Sequence, residues 1–155
     1  MTKTCIVASA VILEENMVIL QRNDSLKKWM LPGGHFLNDE PPENAIKRIV
    51  EEMTGENIEL IDYTNRKKDE DMPLNLSLNP ITILVENIAY EDGKHNHIDI
   101  VFIAKLKTKS KSLIHSQKDV RLFPISEMRG IEIDSKVVEV IERASSYLYN
   151  NNDNV

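Results

Sequence analysis

The sequence predicts an α+β domain in which a mixed β-sheet lies between two helices. Two segments carry apolar residues at helical spacing, and the other apolar runs are short, rich in Ile and Val, and bounded by polar turns. Strands, a helix, further strands and a final helix follow one another, with no internal repeat and no linker. We therefore expect one domain over residues 1–149 and a polar, disordered tail over 150–155.

The chain begins with a predicted β-hairpin. Residues 4–13 form an apolar run that is typical of a buried strand, and residues 17–21 form a second strand after a short polar turn. Residues 23–28 are a polar loop. In the next segment, Trp29–His35, a proline and two adjacent glycines between apolar residues predict irregular backbone.

The clearest predicted helix covers residues 40–54. One apolar stripe runs along it, formed by Ala45, Ile46, Ile49, Val50 and Met53. Asn38 or Asp39 is expected to cap its start, Pro41 and Pro42 suit its first turn, and Gly55 suits the position after its last turn.

The second half of the chain contains four more predicted strands and a second helix. They cover residues 58–63, 81–90, 97–106 and 120–123 for the strands and 135–149 for the helix. A hairpin turn is expected at Glu91–Lys94. Residues from both ends of the chain are expected to share one core: Ile6, Val7, Val11, Ile46, Val50, Ile100, Phe102 and Ile141.

The composition excludes several classes of protein. Of the 155 residues, 41% are hydrophobic and 28% are charged, which is enough apolar material for a folded core. The net charge of −6 argues against a partner held by phosphate neutralisation, such as a nucleic acid. Cys5 is the only cysteine, so an intramolecular disulfide is impossible and a cysteine-based zinc site is not expected.

Membrane and export signals are not recognised in the sequence. No apolar stretch approaches the roughly 20 residues needed to span a bilayer. Residues 1–10 lack the basic start and long apolar run of a secretory signal. We expect a cytoplasmic domain, and the sequence leaves a homodimer open.

One spaced motif carries the functional argument. Gly34, five residues, Glu40, seven residues and Arg48 are followed by Val50, Glu52 and Gly55. This pattern resembles the Nudix box, whose family form is Gly, five residues, Glu, seven residues, then Arg-Glu-apolar-any-Glu-Glu-any-Gly-apolar. Six of its nine specified positions match here. The preceding Trp29–Gly34 segment and the later Arg121–Met128 segment also resemble the family, so the resemblance covers residues 3–149.

The resemblance implies a Nudix-type α/β/α sandwich and a hydrolase that cleaves a diphosphate linkage in a nucleoside-diphosphate-type substrate. It implies Mg²⁺ or Mn²⁺ as cofactor, because hard oxygen ligands and phosphate oxygens suit these ions. The expected catalytic residues are Glu52 and Arg48, and the expected metal ligands are Glu52 and Gly33. Roles in binding substrate or in bracing the box are expected for the remaining residues: Gly33, Gly34 and Arg22 for the substrate, and Glu40 and Gly55 for the box.

The chain departs from the family pattern at three positions. Ile49 and Met53 stand where the family has glutamates, and Glu56 stands where it has an apolar residue. Neither an alkyl group nor a thioether can replace a carboxylate on Mg²⁺. Glu51 and Glu52 could form the glutamate pair only if the motif were shifted by one residue. Glu51 would then point into solvent, because each helical residue advances by about 100° around the helix axis. We therefore expect reduced activity.

Several residues outside the box keep alternative interpretations. Asp99, Glu86 and Glu91 are candidate replacement acids, and the sequence favours none of them. Trp29 is interpreted as an anchor for the glycine loop in preference to a base-stacking residue. The pair His95 and His97 points to one side of a strand. As zinc ligands the pair would need a third partner, for which His35 and His115 are the candidates; we favour histidines at the rim of the substrate site.

Two functions of different classes follow. The first is a metal-dependent Nudix hydrolase with a small nucleotide-type substrate. The alternative is a catalytically inactive Nudix domain that binds a nucleotide or another protein, which the loss of glutamates at positions 49 and 53 favours.

Overall fold

The computed structural model describes residues 2–62, 79–108 and 119–149. The expected tail, 150–155, and His115 lie outside the described residues. Within this part of the chain the elements follow the predicted order of strands, helix, strands and helix. The two helices lie on opposite faces of a mixed sheet, so the predicted fold class is confirmed.

The described residues form eight strands. In chain order they are β1 (Lys3–Glu14), β2 (Met17–Asn23), β3 (Lys28–Met30), β4 (Gly33–His35), β5 (Ile58–Ile61), β6 (Thr82–Tyr90), β7 (Gly93–Leu106) and β8 (Val120–Pro124). The main path through the sheet is β3-β2-β1-β7-β5, with β4 on β1, β6 on β7 and β8 on β2. Two long strands, β1 and β7, therefore occupy the centre.

The register between β1 and β7 brings distant parts of the chain together. These strands are parallel, and their pairing runs from Lys3 beside His95 to Ile12 beside Ala104. The other pairings in the described sheet are antiparallel. Because side chains alternate between faces, residues 5, 7 and 9 share one face with residues 95, 97 and 99.

Helix α1 (Pro42–Thr54) begins and ends at backbone signals. Its N-cap is Pro41, in extended conformation with no side-chain cap, so the expected capping by Asn38 or Asp39 is wrong. Pro42 lacks an N–H group that would need a cap, which fits this start. At the other end Gly55 has a φ of 73°, and its N–H donates to the Glu51 carbonyl at 2.8 Å.

Helix α2 (Ser135–Tyr149) has the predicted bounds, and a 3₁₀ helix (Ile125–Gly130) lies between β8 and α2. Neither α1 nor α2, the two α-helices of the described ranges, has the length and apolar character needed to cross a bilayer.

The core is divided by the sheet, which corrects the expectation of one shared cluster. Val11 and Ile141 belong to the cluster on the α2 side, whereas Ile46 and Phe102 belong to the cluster on the α1 side. Ile6 is 52% exposed, so its predicted burial is wrong. Ile6 lies on the α1 face of the sheet, near the start of β1. The residues of β1 that belong to the buried α1-side cluster come later in the strand.

The segment expected to be irregular instead contains two short strands, β3 and β4. They pair with β2 and β1, and these contacts, which are distant in sequence, impose the extended conformation. Trp29 packs against the α2-side cluster and contacts the Phe123 ring edge-to-face at 4.7 Å between centroids. This packing favours the interpretation of Trp29 as an anchor, which stays a prediction.

Candidate active site

The loop before α1 is fastened to the helix by one arginine. Nε and Nη2 of Arg48 donate to the two carboxylate oxygens of Glu40, at 2.8 and 2.9 Å. Nη2 also donates to the His35 carbonyl at 3.1 Å, and Glu40 accepts from the Leu37 N–H at 3.0 Å. The hydrogen bonds from Arg48 hold the pKa of Glu40 below its ordinary value. Loop and helix are thus joined by a bidentate charged pair.

The two glycines at the loop entrance have different surroundings. A Cβ at Gly33 would lie 2.6 Å from the Ala8 carbonyl oxygen and 2.7 Å from Ser9 Cβ, so β4 can approach β1 only with glycine there. At Gly34 the nearest atom to a Cβ would be a methyl carbon of Ile49 at 3.5 Å, an ordinary contact. Ile49 therefore packs directly beneath the loop.

The two apolar replacements in the box take part in packing. Ile49 is 7% exposed, and Met53 packs against the α1-side cluster. The retained Glu52 has a 66% exposed side chain and accepts from Nη1 of Arg48 at 3.2 Å. One exposed carboxylate held by Arg48 remains where the family pattern has three glutamates after the arginine.

A cleft of about 200 Å³ opens beside the glycine loop. It lies between β1, β2, β4, β6 and the first half of β7. Its polar lining comes from residues distant in sequence: Ser9, Gln21, Asn23, His35, Glu86, Tyr90, His97 and Asp99. Gly33 and Gly34 complete the wall on the side of the box, so the loop and the cleft form one site.

A buried serine–aspartate pair lies in the cleft. Oγ of Ser9 is 2.8 Å from each carboxylate oxygen of Asp99 and can donate its single proton to one of them at a time. Burial raises the pKa of Asp99 to about 7, although the hydrogen bond from Ser9 opposes this and the charge of Glu86 adds to it. Burial also raises the pKa of Glu86.

Three aromatic rings surround the buried His97. Its ring centroid is 5.6 Å from that of His35 and 5.8 Å from that of Tyr90. The Tyr90 ring also contacts the His95 ring, with 5.0 Å between centroids. Burial lowers the pKa of His97, and the nearby His35 and His95 lower it further. The neutral imidazole is therefore favoured.

The structure places the sequence-predicted site residues in four locations. Gly33 and Gly34 line the cleft, while Glu40, Arg48 and Gly55 organise the loop and helix. Glu52 extends from α1 toward solvent. Arg22 lies beside Trp29, 5.8 Å from the ring centroid, and 3.9 Å from the Asp24 carboxylate. Among the described residues that line the cleft, neither Arg22 nor Glu52 is found.

The candidate replacement acids are now distinguished by position. Asp99 and Glu86 line the cleft, whereas Glu91 is exposed in the turn between β6 and β7. Sequence reasoning missed Ser9, Gln21 and Tyr90. The signal available for Ser9 was a hydroxyl in the middle of a buried apolar strand, where a polar group needs a partner.

The box residues offer few donor atoms for a magnesium ion. Glu52 supplies one carboxylate, and the Gly33 carbonyl is the expected second oxygen, while Ile49 and Met53 supply none. Mg²⁺ is commonly held by one or two carboxylates together with water and substrate phosphates. The residues therefore fit an ion that arrives with a phosphate ligand.

Comparisons with known proteins identify the family. A family model described as the NUDIX domain matches residues 3–141. A comparison with curated protein sequences gives no match. The match of the family model covers both the loop–helix segment and the strands that line the cleft.

Three solved structures illustrate the likeness of fold. A NUDIX-family hydrolase from Clostridium perfringens is 24% identical with a TM-score of 0.73, covering 92% of this chain and 97% of that one. The Ap4A hydrolase of C. elegans is 14% identical with a TM-score of 0.61, covering 94% and 98%. NrtR from Shewanella oneidensis, complexed with a 27mer DNA, is 18% identical with a TM-score of 0.61, covering 94% of this chain and 63% of NrtR.

At these identities the solved structures establish the fold, and the family model extends over most of the chain. Together with the braced loop and helix at residues 33–55, this match shows that the chain belongs to the Nudix domain family.

Proposed function

We propose that this Nudix domain binds a small nucleoside-diphosphate-type ligand in the cleft and hydrolyses its diphosphate linkage slowly. The observation that supports this is the position of Gly33 and Gly34, which belong to the braced box loop and also line the cleft. Glycines allow phosphate groups to approach the backbone closely. A ligand in the cleft would thus lie against the loop that Arg48 holds.

The metal site of this proposal uses Glu52 and the Gly33 carbonyl, with ligand phosphates completing the shell. Mg²⁺ or Mn²⁺, when bound, neutralises phosphate oxygens and activates water. Arg48 orients the Glu52 carboxylate. We assign Asp99 as the carboxylate that accepts a proton in the cleft, oriented by the hydroxyl of Ser9. Its buried position beside Glu86 supports this choice over Glu91.

The experiment measures phosphate or nucleotide release from a substrate panel with Mg²⁺ and with Mn²⁺. The panel includes Ap4A, the substrate named for the C. elegans neighbour, together with nucleoside diphosphates linked to sugars. We expect Glu52→Gln to lower the rate about tenfold or more. Glu51→Gln is the matched control, because Glu51 is an exposed carboxylate one residue away on the same helix. Equal rates for wild type and Glu52→Gln would refute the assigned role of Glu52.

A second candidate function is ligand binding without hydrolysis. The burial of Ile49 beneath Gly34 favours it, because the space beside the loop is filled by an alkyl group. Calorimetry with Mg²⁺ and each ligand would then show binding to a protein that releases no product. DNA binding of the kind named for NrtR is not proposed here, because this chain covers 63% of NrtR and carries a net charge of −6. The cytoplasmic location and the homodimer that the sequence left open stay predictions.

A further inference from the structure

Three side chains with metal-binding groups meet beside the cleft, outside the box. Cys5 on β1 pairs with His97 on β7, and His95 lies two residues earlier on the same face of β7. The Cys5 Sγ is 3.9 Å from Nδ1 of His95. One ligand atom from each of the three residues lies within 4.8 Å of the others.

A buried ring nitrogen without a partner points independently to a ligand. His97 is 8% exposed, and its Nε2 has no hydrogen-bond partner within the described ranges. A buried nitrogen left unpaired is unfavourable, because it has lost its contact with water and gained nothing in exchange. A cation bound through Nε2 of His97 would remove that penalty.

The hydrogen bonding of His95 already suits metal binding. Its Nε2 is 3.1 Å from Oδ1 of Asp92, so the Nε2 proton can be donated to this carboxylate. In the tautomer with a proton on Nε2, the lone pair of Nδ1 accepts a hydrogen bond from the Cys5 thiol, and it becomes available to a cation when that thiol is deprotonated. Histidines bound to metals commonly donate their second ring N–H to a carboxylate in this way.

We propose that Cys5, His95 and His97 bind a zinc-type divalent ion, which revises the expectation from the sequence that there is no cysteine-based zinc site. A thiolate and two imidazoles are donors typical of Zn²⁺, and they are poorly suited to the hard ion Mg²⁺. Tetrahedral Zn²⁺ places sulfur and nitrogen ligands about 3.6 Å apart, so the observed 3.9 Å between Cys5 and His95 closes with a small movement. Binding releases the thiol proton of Cys5 to solvent.

Three protein ligands leave one position of a tetrahedral ion for water or a ligand group. Since His97 also lines the cleft, the ion would stand at the cleft wall. This site shares no metal ligand with the proposed magnesium site, because it contains neither Glu52 nor the Gly33 carbonyl.

The test is titration of the metal-free full chain with Co²⁺, in the absence of nucleotide and Mg²⁺, followed by absorption spectroscopy. We expect one equivalent to produce visible bands of tetrahedral cobalt and a near-ultraviolet thiolate-to-cobalt band. Because Cys5 is the only cysteine of the chain, the thiolate band can arise from no other residue. Added Zn²⁺ should abolish both signals by displacing Co²⁺. A titration that yields no thiolate band would overturn the proposal without any variant.

Two variants test Cys5 and His97 as ligands. Cys5→Ser should remove the thiolate band, and His97→Gln should weaken Co²⁺ binding about tenfold or more. The matched control is His35→Gln, since the His35 ring lies 5.6 Å from that of His97 but outside the cluster. Circular dichroism checks that each variant is folded. Loss of the thiolate band in a folded His35→Gln variant, or unchanged Co²⁺ affinity in a folded His97→Gln variant, would overturn the ligand set.

Discussion

Gly33 lies where β4 approaches β1 most closely, and that approach allows no side chain. A methyl group there would meet the Ala8 carbonyl oxygen at 2.6 Å and Ser9 Cβ at 2.7 Å. Backbone atoms cannot move aside cheaply, so we expect Gly33→Ala to lower the free energy of unfolding by about 1–3 kcal/mol. Urea denaturation of wild type and variant measures this difference.

Gly34 provides the control at the next position. Its Cβ would make an ordinary contact with the Ile49 methyl carbon at 3.5 Å. Gly34→Ala should therefore change stability by less than about 0.5 kcal/mol. If both substitutions destabilise the protein equally, the tight approach at Gly33 is not the cause.

At the scale of elements, the pairing of Glu40 with Arg48 makes the stability of the loop and helix dependent on pH. The pKa of Glu40 is lowered from 4.5 in the folded protein, chiefly by the hydrogen bonds from Arg48. The ionised carboxylate therefore contributes stability above pH 4.5, and this contribution is lost as the pH falls through the lowered pKa.

We expect Glu40→Gln to lower the Tm at pH 7, with a deficit that narrows as the pH is reduced below 4.5. Thermal melts of both proteins from pH 3 to pH 7 measure this. Glu139→Gln, which changes an exposed carboxylate on α2, serves as the control. A deficit for Glu40→Gln that is constant over the whole range would contradict the account.

The sequence predicts best those elements whose pattern of apolar residues lies within one short segment. The apolar stripe of α1 and the bounds of α2 are periodic patterns within 15 residues, and both are found. By contrast, β3 and β4 exist because they pair with β2 and β1, and no periodicity within three residues can reveal such contacts. The side-chain cap expected for α1 is missing because the N-cap residue is Pro41, whose side chain has no hydrogen-bonding group.

In the whole molecule, the candidate site likewise combines features that are local in sequence with contacts between distant residues. The box spacing lies within one segment, so its architecture could be predicted, as could the loss of two glutamates. The polar groups of the cleft could not be assembled in advance, because Ser9 meets Asp99 across 90 residues of chain. Only the parallel register of β1 and β7 makes Cys5 the neighbour of His97.

The two apolar clusters share the central strands, so we expect the described elements to unfold together. Ile46→Ala on the α1 side and Ile141→Ala on the α2 side each empty a fully buried position. Each should lower the free energy of unfolding by about 2–5 kcal/mol, within a single urea transition. The controls are Lys47→Ala and Glu139→Ala, which change exposed positions on the same two helices. A second unfolding transition in either core variant would contradict the expectation that these elements form one domain.

We propose that Ile49 and Met53 slow an otherwise assembled Nudix site. The variant carrying both Ile49→Glu and Met53→Glu restores carboxylates beside Arg48 and Glu52. Because Ile49 is 7% exposed and Met53 packs against the α1-side cluster, the variant should also be less stable than wild type. A melting curve therefore accompanies every rate measurement.

The decisive measurement is the rate of nucleotide release by wild type and by this double variant over the same substrate panel with Mg²⁺. We predict a gain of about tenfold or more, equivalent to about 1.4 kcal/mol of transition-state stabilisation, on at least one substrate. The contradicting result is a wild type that already turns over at about 1–10³ per second, together with a folded double variant that is no faster.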